Sequence, residues 1–199
     1  MATYLQDSEA PSFSGGEGVA DLRPMLLPGY SELSKEDQAK VDAILGPPGE
    51  DGGFSPPFET VDLPAKLPLA WDNSASVSSI KVHPAIACEA RVALEKVFKA
   101  GFWDKLIFGG TYVPRKARGG SFFSVHSWGV AVDLNPDENQ LSWGRDRAQF
   151  AQPEFSPLMD IFEAAGFFST GRSKNYEWGH FAITTDALLG KSGPPECRN

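Results

Sequence analysis

Two short runs concentrate the side chains that could do chemistry. Histidine occurs only at positions 83, 126 and 180. His126 and Asp133 flank Trp128-Gly129 within Ser-Val-His-Ser-Trp-Gly-Val-Ala-Val-Asp, residues 124–133, and Glu177 and His180 flank Trp178-Gly179. His, Asp and Glu are zinc ligands, and a catalytic zinc site takes three of them and leaves one position for water. Both runs are otherwise apolar and strand-like, where a polar side chain is costly unless satisfied. On spacing alone, a metal centre and a pair of buried, hydrogen-bonded histidines are both open.

The elements around these runs must bend. Side chains alternate along a strand. Residues 126 and 133, and again 177 and 180, are separated by odd intervals, so a straight strand would put each pair on opposite faces. Gly129 and Gly179 are the places where a bend or bulge is expected. His83 precedes Pro84 at a helix start and reads as structural. Asp133-x-Asn135-x-Asp137 is like the opening of an EF-hand loop, but Glu138 stands where glycine is needed and Gly144 where the bidentate glutamate is needed. That reading is rejected.

Further out, Ser34 is an N-cap candidate for a helix carrying Ala39, Val41, Ile44 and Leu45, stopped by Gly46-Pro47-Pro48-Gly49. Residues 1–57 read as an N-terminal arm with this short helix and a Pro/Gly-rich linker, and 58–199 as the main domain. Pro84 opens a second helix whose apolar face is Ala87, Ala90, Leu94, Val97 and Phe98, closed by Gly101. Residues 105–113 read as a strand interrupted by two glycines, 115–120 as a basic loop, and 121–124 and 130–134 as short strands. Leu158, Ile161, Phe162 and Ala165 form a helix ended by Gly166, and residues 178–184 a last strand. Short strands mixed with helices, without βαβ alternation, indicate an α+β fold with a small antiparallel sheet and flanking helices.

Bulk composition narrows the function classes. With 41% hydrophobic and 22% charged residues the chain is globular. The net charge of -8 argues against a nucleic-acid partner, which requires a basic face. No apolar run reaches the roughly 20 residues that span a bilayer, so membrane insertion is not expected. The first residues lack the basic and apolar regions of a secretory signal, so cytoplasmic synthesis is expected, with any external substrate reached by another route. Cys88 and Cys197 fit no zinc-finger spacing, and two free or buried thiols are the favoured reading over a pair.

The pattern Ser124-x-His126-x-x-Gly129-x-Ala131-x-Asp133, followed by Glu177-Trp178-x-His180, resembles the signature of the D-Ala-D-Ala metallopeptidase family. That family belongs to the group named for lysostaphin, these peptidases and the hedgehog N-domain. It includes vancomycin-resistance-type D,D-carboxypeptidases and phage endolysins that cut between L-Ala and D-Glu. The resemblance covers roughly residues 80–185, and includes the helix after Pro84 and the Gly-Thr-Tyr-x-x-Arg run at 110–115.

This resemblance implies a zinc peptidase fold of the hedgehog/D,D-peptidase kind, with Zn2+ on His126, Asp133 and His180. It implies Glu177 as general base, although an ordinary solvated glutamate is the alternative. Arg115 resembles the family arginine that stabilises the oxyanion or holds substrate, with Arg118 as its rival. Ser124 is expected to bond substrate or support His126, and Tyr112 and Trp178 join the substrate-binding candidates. Trp128, Trp143 and Trp178 could line a groove, though packing is the commoner use. The implied activity is hydrolysis of an amide bond in a peptidoglycan stem peptide, by a monomer, as endopeptidase or D,D-carboxypeptidase. A phage-type lysin released by lysis suits the missing signal. A non-catalytic, zinc-stabilised binding module is the alternative. The sequence departs from the family in having Ala182 after His180-Phe181, where many relatives carry an acid.

Overall fold

The computed structural model describes residues 27–50, 52–117 and 122–198. Its sheet has six strands: β1 (Glu59–Leu69), β2 (Asp72–Val82), β3 (Phe108–Gly110), β4 (Ala131–Leu134), β5 (Phe167–Ser169) and β6 (His180–Ile183). Their order is β2-β1-β3-β4-β6-β5. Every pairing is antiparallel except β1 with β3, where Leu69 lies beside Phe108. Among the described residues five α-helices accompany it: α1 (Lys35–Leu45), α2 (Ala87–Lys99), α3 (Ser156–Ala164), α4 (Thr170–Lys174) and α5 (Thr185–Leu188). The expected α+β class is the observed one.

Local chemistry explains the helix ends. The Ser34 hydroxyl accepts from the Asp37 amide, and α1 stops at Gly46 with φ 62°. The His83 imidazole caps the turn before α2, its Nδ1 accepting from the Ala85 amide at 3.2 Å, which is the structural role expected of it. α2 buries Ala90, Ala93, Leu94 and Val97. Phe98 departs from the expected face: it is exposed and meets Trp103 edge-on. α3 ends before Gly166, whose φ of 91° suits a residue without a side chain.

The core gathers phenylalanines beneath the central strands. Phe162 of α3 stacks on Phe181 of β6 at 4.1 Å and meets Phe167 edge-on. Each such ring removed from water contributes roughly 1.5–3 kcal/mol. Because side chains alternate, burying Phe181 on this face turns its neighbour His180 to the other. Val132 and Leu134 are likewise buried beside half-buried Asp133.

The longest strands, β1 and β2, have no strand pattern in the sequence. Pro64 and Pro68 interrupt β1, and its register shifts between Asp62 and Leu67, so the strand shows no clean alternation. The strand expected over 105–113 is confined to Phe108–Gly110; of the strand expected over 121–124, residue 121 lies outside the described residues, and Phe123 makes an isolated bridge to Lys116. Cys88 and Cys197 are joined in a disulfide rather than free.

Candidate metal centre

Strand register builds two thirds of the site. Asp133 of β4 pairs directly with His180 of β6, so their side chains rise from one face as cross-strand neighbours. The carboxylate Oδ1 lies 2.8 Å from His180 Nδ1.

His126 arrives by another route. It sits on a 3₁₀ turn, Val125–Trp128, and not on a strand. Ser124 caps this turn, its hydroxyl accepting from the His126 amide at 3.3 Å. Gly129 closes the turn in the left-handed region, at φ 70° and ψ 33°, and the chain then enters β4. The bend expected at Gly129 is therefore present. His126 Nδ1 faces the Thr111 carbonyl at 2.9 Å. A carbonyl only accepts, so Nδ1 carries the proton and Nε2 keeps its lone pair for a ligand. Thr111 was not foreseen as a site residue, since its backbone oxygen leaves no trace in residue type.

His126 Nε2 lies 3.2 Å from His180 Nδ1 and 3.2 Å from Asp133 Oδ2. A tetrahedron with ligands about 2.0–2.1 Å from its centre has edges of about 3.3 Å. The imidazole pair has this spacing, and the Asp133 carboxylate turns Oδ2 to His126 and Oδ1 to His180, so that the three side chains, all within 4.8 Å of one another, could hold a cation between them. This is the one such His/Cys/Asp/Glu cluster among the described residues. His126 is 4% exposed, so its ring is fixed by packing as well as by Thr111. Burial alone would raise the Asp133 pKa, but the two imidazoles outweigh it and hold the carboxyl far below the usual range. Burial lowers the His180 pKa, and the Asp133 carboxylate overcomes this and raises it.

Close approach of β3 and β6 to β4 depends on two glycines. A Cβ on Gly179 would come 2.2 Å from the Leu134 carbonyl oxygen, and one on Gly109 3.0 Å from Asp133. Gly179 thus serves proximity rather than the expected bend. The positive φ of this turn falls on Glu177 itself, at 51°, where the Glu177 carbonyl accepts from the His180 amide.

Asp133 and His180 open into a cleft whose walls include Arg115, Pro136, Leu141 and Glu177. Glu177 and Arg115 are both half-buried here, and both act electrostatically on His180. The Arg115 backbone is tied to the His126 turn: its carbonyl accepts from the Ser124 amide at 3.0 Å and from the Ser127 hydroxyl at 2.8 Å. The remaining candidates lie elsewhere. Ser124 is buried under the turn that it caps. Tyr112 packs edge-on against Phe58 at 4.7 Å, and Trp178, 4% exposed, is core; neither lines the cleft. Arg118 is outside the described residues. Ala182 is buried opposite Ala131, two pairs along from His180.

No helix among the described residues is long and apolar enough to cross a membrane. No curated protein matches the chain. A family model described as D-alanyl-D-alanine carboxypeptidase matches residues 117–183. That segment contains His126, Asp133, Glu177 and His180, and over it the chain is similar to the D-Ala-D-Ala metallopeptidase family.

Proposed function

We propose that the protein is a zinc-dependent peptidase that hydrolyses an amide bond in the stem peptide of peptidoglycan. The observation that carries this is the convergence of His126 Nε2, Asp133 and His180 Nδ1 within 4.8 Å of one another, with Asp133 and His180 facing a cleft that a carboxylate and a guanidinium also line. Two imidazoles and one carboxylate suit zinc and leave one coordination position free. Zinc held there would act as a Lewis acid on the scissile carbonyl and on the attacking water. Glu177 accepts the proton that the water loses and returns it to the leaving amine. Arg115 stabilises the negative charge that develops on the carbonyl oxygen, a role suited to a fixed cation in a partly desolvated cleft. Thr111 and Ser124 keep His126 in the tautomer and orientation that present Nε2.

The disulfide favours action in an oxidising setting outside the cytoplasm, where such bridges persist, and a wall substrate lies there. The test is purified protein on purified sacculi, with and without a zinc chelator, products read by mass spectrometry. Chelator-sensitive release of D-Ala identifies a carboxypeptidase, and release of stem peptide from the glycan side identifies an endopeptidase. Intact sacculi after treatment with protein carrying one zinc, across several wall types, would leave only the non-catalytic binding module.

A further inference from the structure

We infer that residues 27–50 form a strap that positions the metal ligand His126, so that the metal centre is incomplete without this N-terminal segment. The inference rests on His126 being a metal ligand, as argued above.

The turn Val125–Trp128 has two backs to be held. On the cleft side it is tied to the backbone at 111–115, through Thr111, Val113 and Arg115. On the opposite side its partners come from the strap. The Gly49 amide donates to the Ser127 carbonyl at 2.6 Å, and the Trp128 indole Nε1–H donates to the Gly46 carbonyl at 3.0 Å, across 82 residues of sequence. These two bonds grip the two residues that follow His126. Between them lies an apolar seam in which Leu27, Val41 and Leu45 of the strap meet Val125, Trp128 and Val130. The strap is then fixed at both ends to the body. The Pro28 carbonyl accepts from the Thr185 amide at 3.1 Å, Lys191 pairs with Asp37 at 2.8 Å, and the Tyr112 ring lies so close over Gly49 that a Cβ there would overlap its hydroxyl.

A four-residue 3₁₀ turn has few hydrogen bonds of its own, and a ligand nitrogen must be held to a few tenths of an ångström for full affinity. Asp133 and His180 are held by strand register, whereas His126 has no ladder. The strap supplies what a ladder would. Trp128 and Gly49 are positioning residues in this scheme: neither is a ligand, and neither lines the cleft.

The test uses the full chain. Trp128→Phe removes the indole donor and keeps an aromatic ring in the seam. Zinc affinity is measured by competition with a chromophoric chelator, alongside the melting temperature of the metal-free protein. A direct hydrogen-bond partner of a metal ligand is worth about 10- to 100-fold in affinity; Trp128 acts one step further out, so a loss of about tenfold is expected here with the metal-free melting temperature held within a few degrees. A second measurement needs no variant. Coupling is reciprocal, so zinc loading of the wild type must slow hydrogen exchange at the Gly49 amide and the Trp128 indole. Unchanged affinity in Trp128→Phe, or unchanged exchange at both groups on loading, overturns the strap alone. A wild type that takes up no zinc overturns the metal reading and the strap with it.

Discussion

Removing the Cys88–Cys197 bridge should weaken the fold substantially without touching the metal centre. The bridge joins the first turn of α2 to the C-terminal turn Pro195–Cys197 and closes a span of 109 residues. A cross-link removes entropy from the unfolded chain in proportion to the logarithm of loop length, and for a loop of about 100 residues this amounts to about 4.7 kcal/mol. The tail has other holds: the Arg198 guanidinium donates to the Gly193 carbonyl at 2.6 Å, and Gly193 packs near Ala165 and Glu89. Those contacts survive cleavage, so the loss acts mainly through the unfolded state. The double variant Cys88→Ser/Cys197→Ser is expected to lose about 2–5 kcal/mol of unfolding free energy. The assay is urea denaturation of both metal-free proteins, because bound metal would add its own stabilisation. Zinc affinity of the folded double variant should equal that of the wild type, since neither cysteine lines the cleft. A loss under about 1 kcal/mol would refute the reasoning, because it would mean that the tail frays independently of the global transition.

Three further outcomes are expected. Glu177→Gln should bind zinc as the wild type does and lose about 10²- to 10⁴-fold in turnover on stem peptides, read by mass spectrometry; undiminished hydrolysis would remove Glu177 as the base. Gly179→Ala puts a methyl against the Leu134 carbonyl and should separate β6 from β4, weakening zinc binding and stability together; a variant with native affinity would refute the close-approach account. Glu89 is buried on α2, and desolvation raises its pKa. The stability associated with its protonated form is therefore complete below the ordinary glutamate range and lost as pH rises through the raised pKa. Glu89→Gln should accordingly be more stable than wild type at pH 7 and no more stable near pH 4, measured by thermal melts at both.

Much of the site was legible because its information is local. The pairs His126/Asp133 and Glu177/His180 each fall within eight residues, and the glycine between each pair marks a place where the backbone had to depart from a straight strand. The reason for each departure was only half legible. Gly129 turns the chain, whereas Gly179 admits the neighbouring strand, and the sequence presents both simply as glycine. The apolar face of α2 was readable from its period, but Phe98 was not separable from it, because the edge of a helix face is set by what packs there. The β1–β2 hairpin was missed because its prolines and serines break the alternation that announces a strand, and its stability comes from pairing.

By itself the sequence determined the donor set, two imidazoles and a carboxylate, with a second carboxylate in the same short runs, and it marked the start of α1 at Ser34. Residue type decides those matters, and residue type is what a sequence contains. The tertiary structure decided everything that depends on distant segments meeting. It set the register that faces Asp133 with His180, the Thr111 carbonyl that fixes the His126 tautomer, the strap against the turn, and the pairing of Cys88 with Cys197. Each of these joins residues through backbone geometry or across long loops, and no local pattern encodes which partner wins until the core has packed.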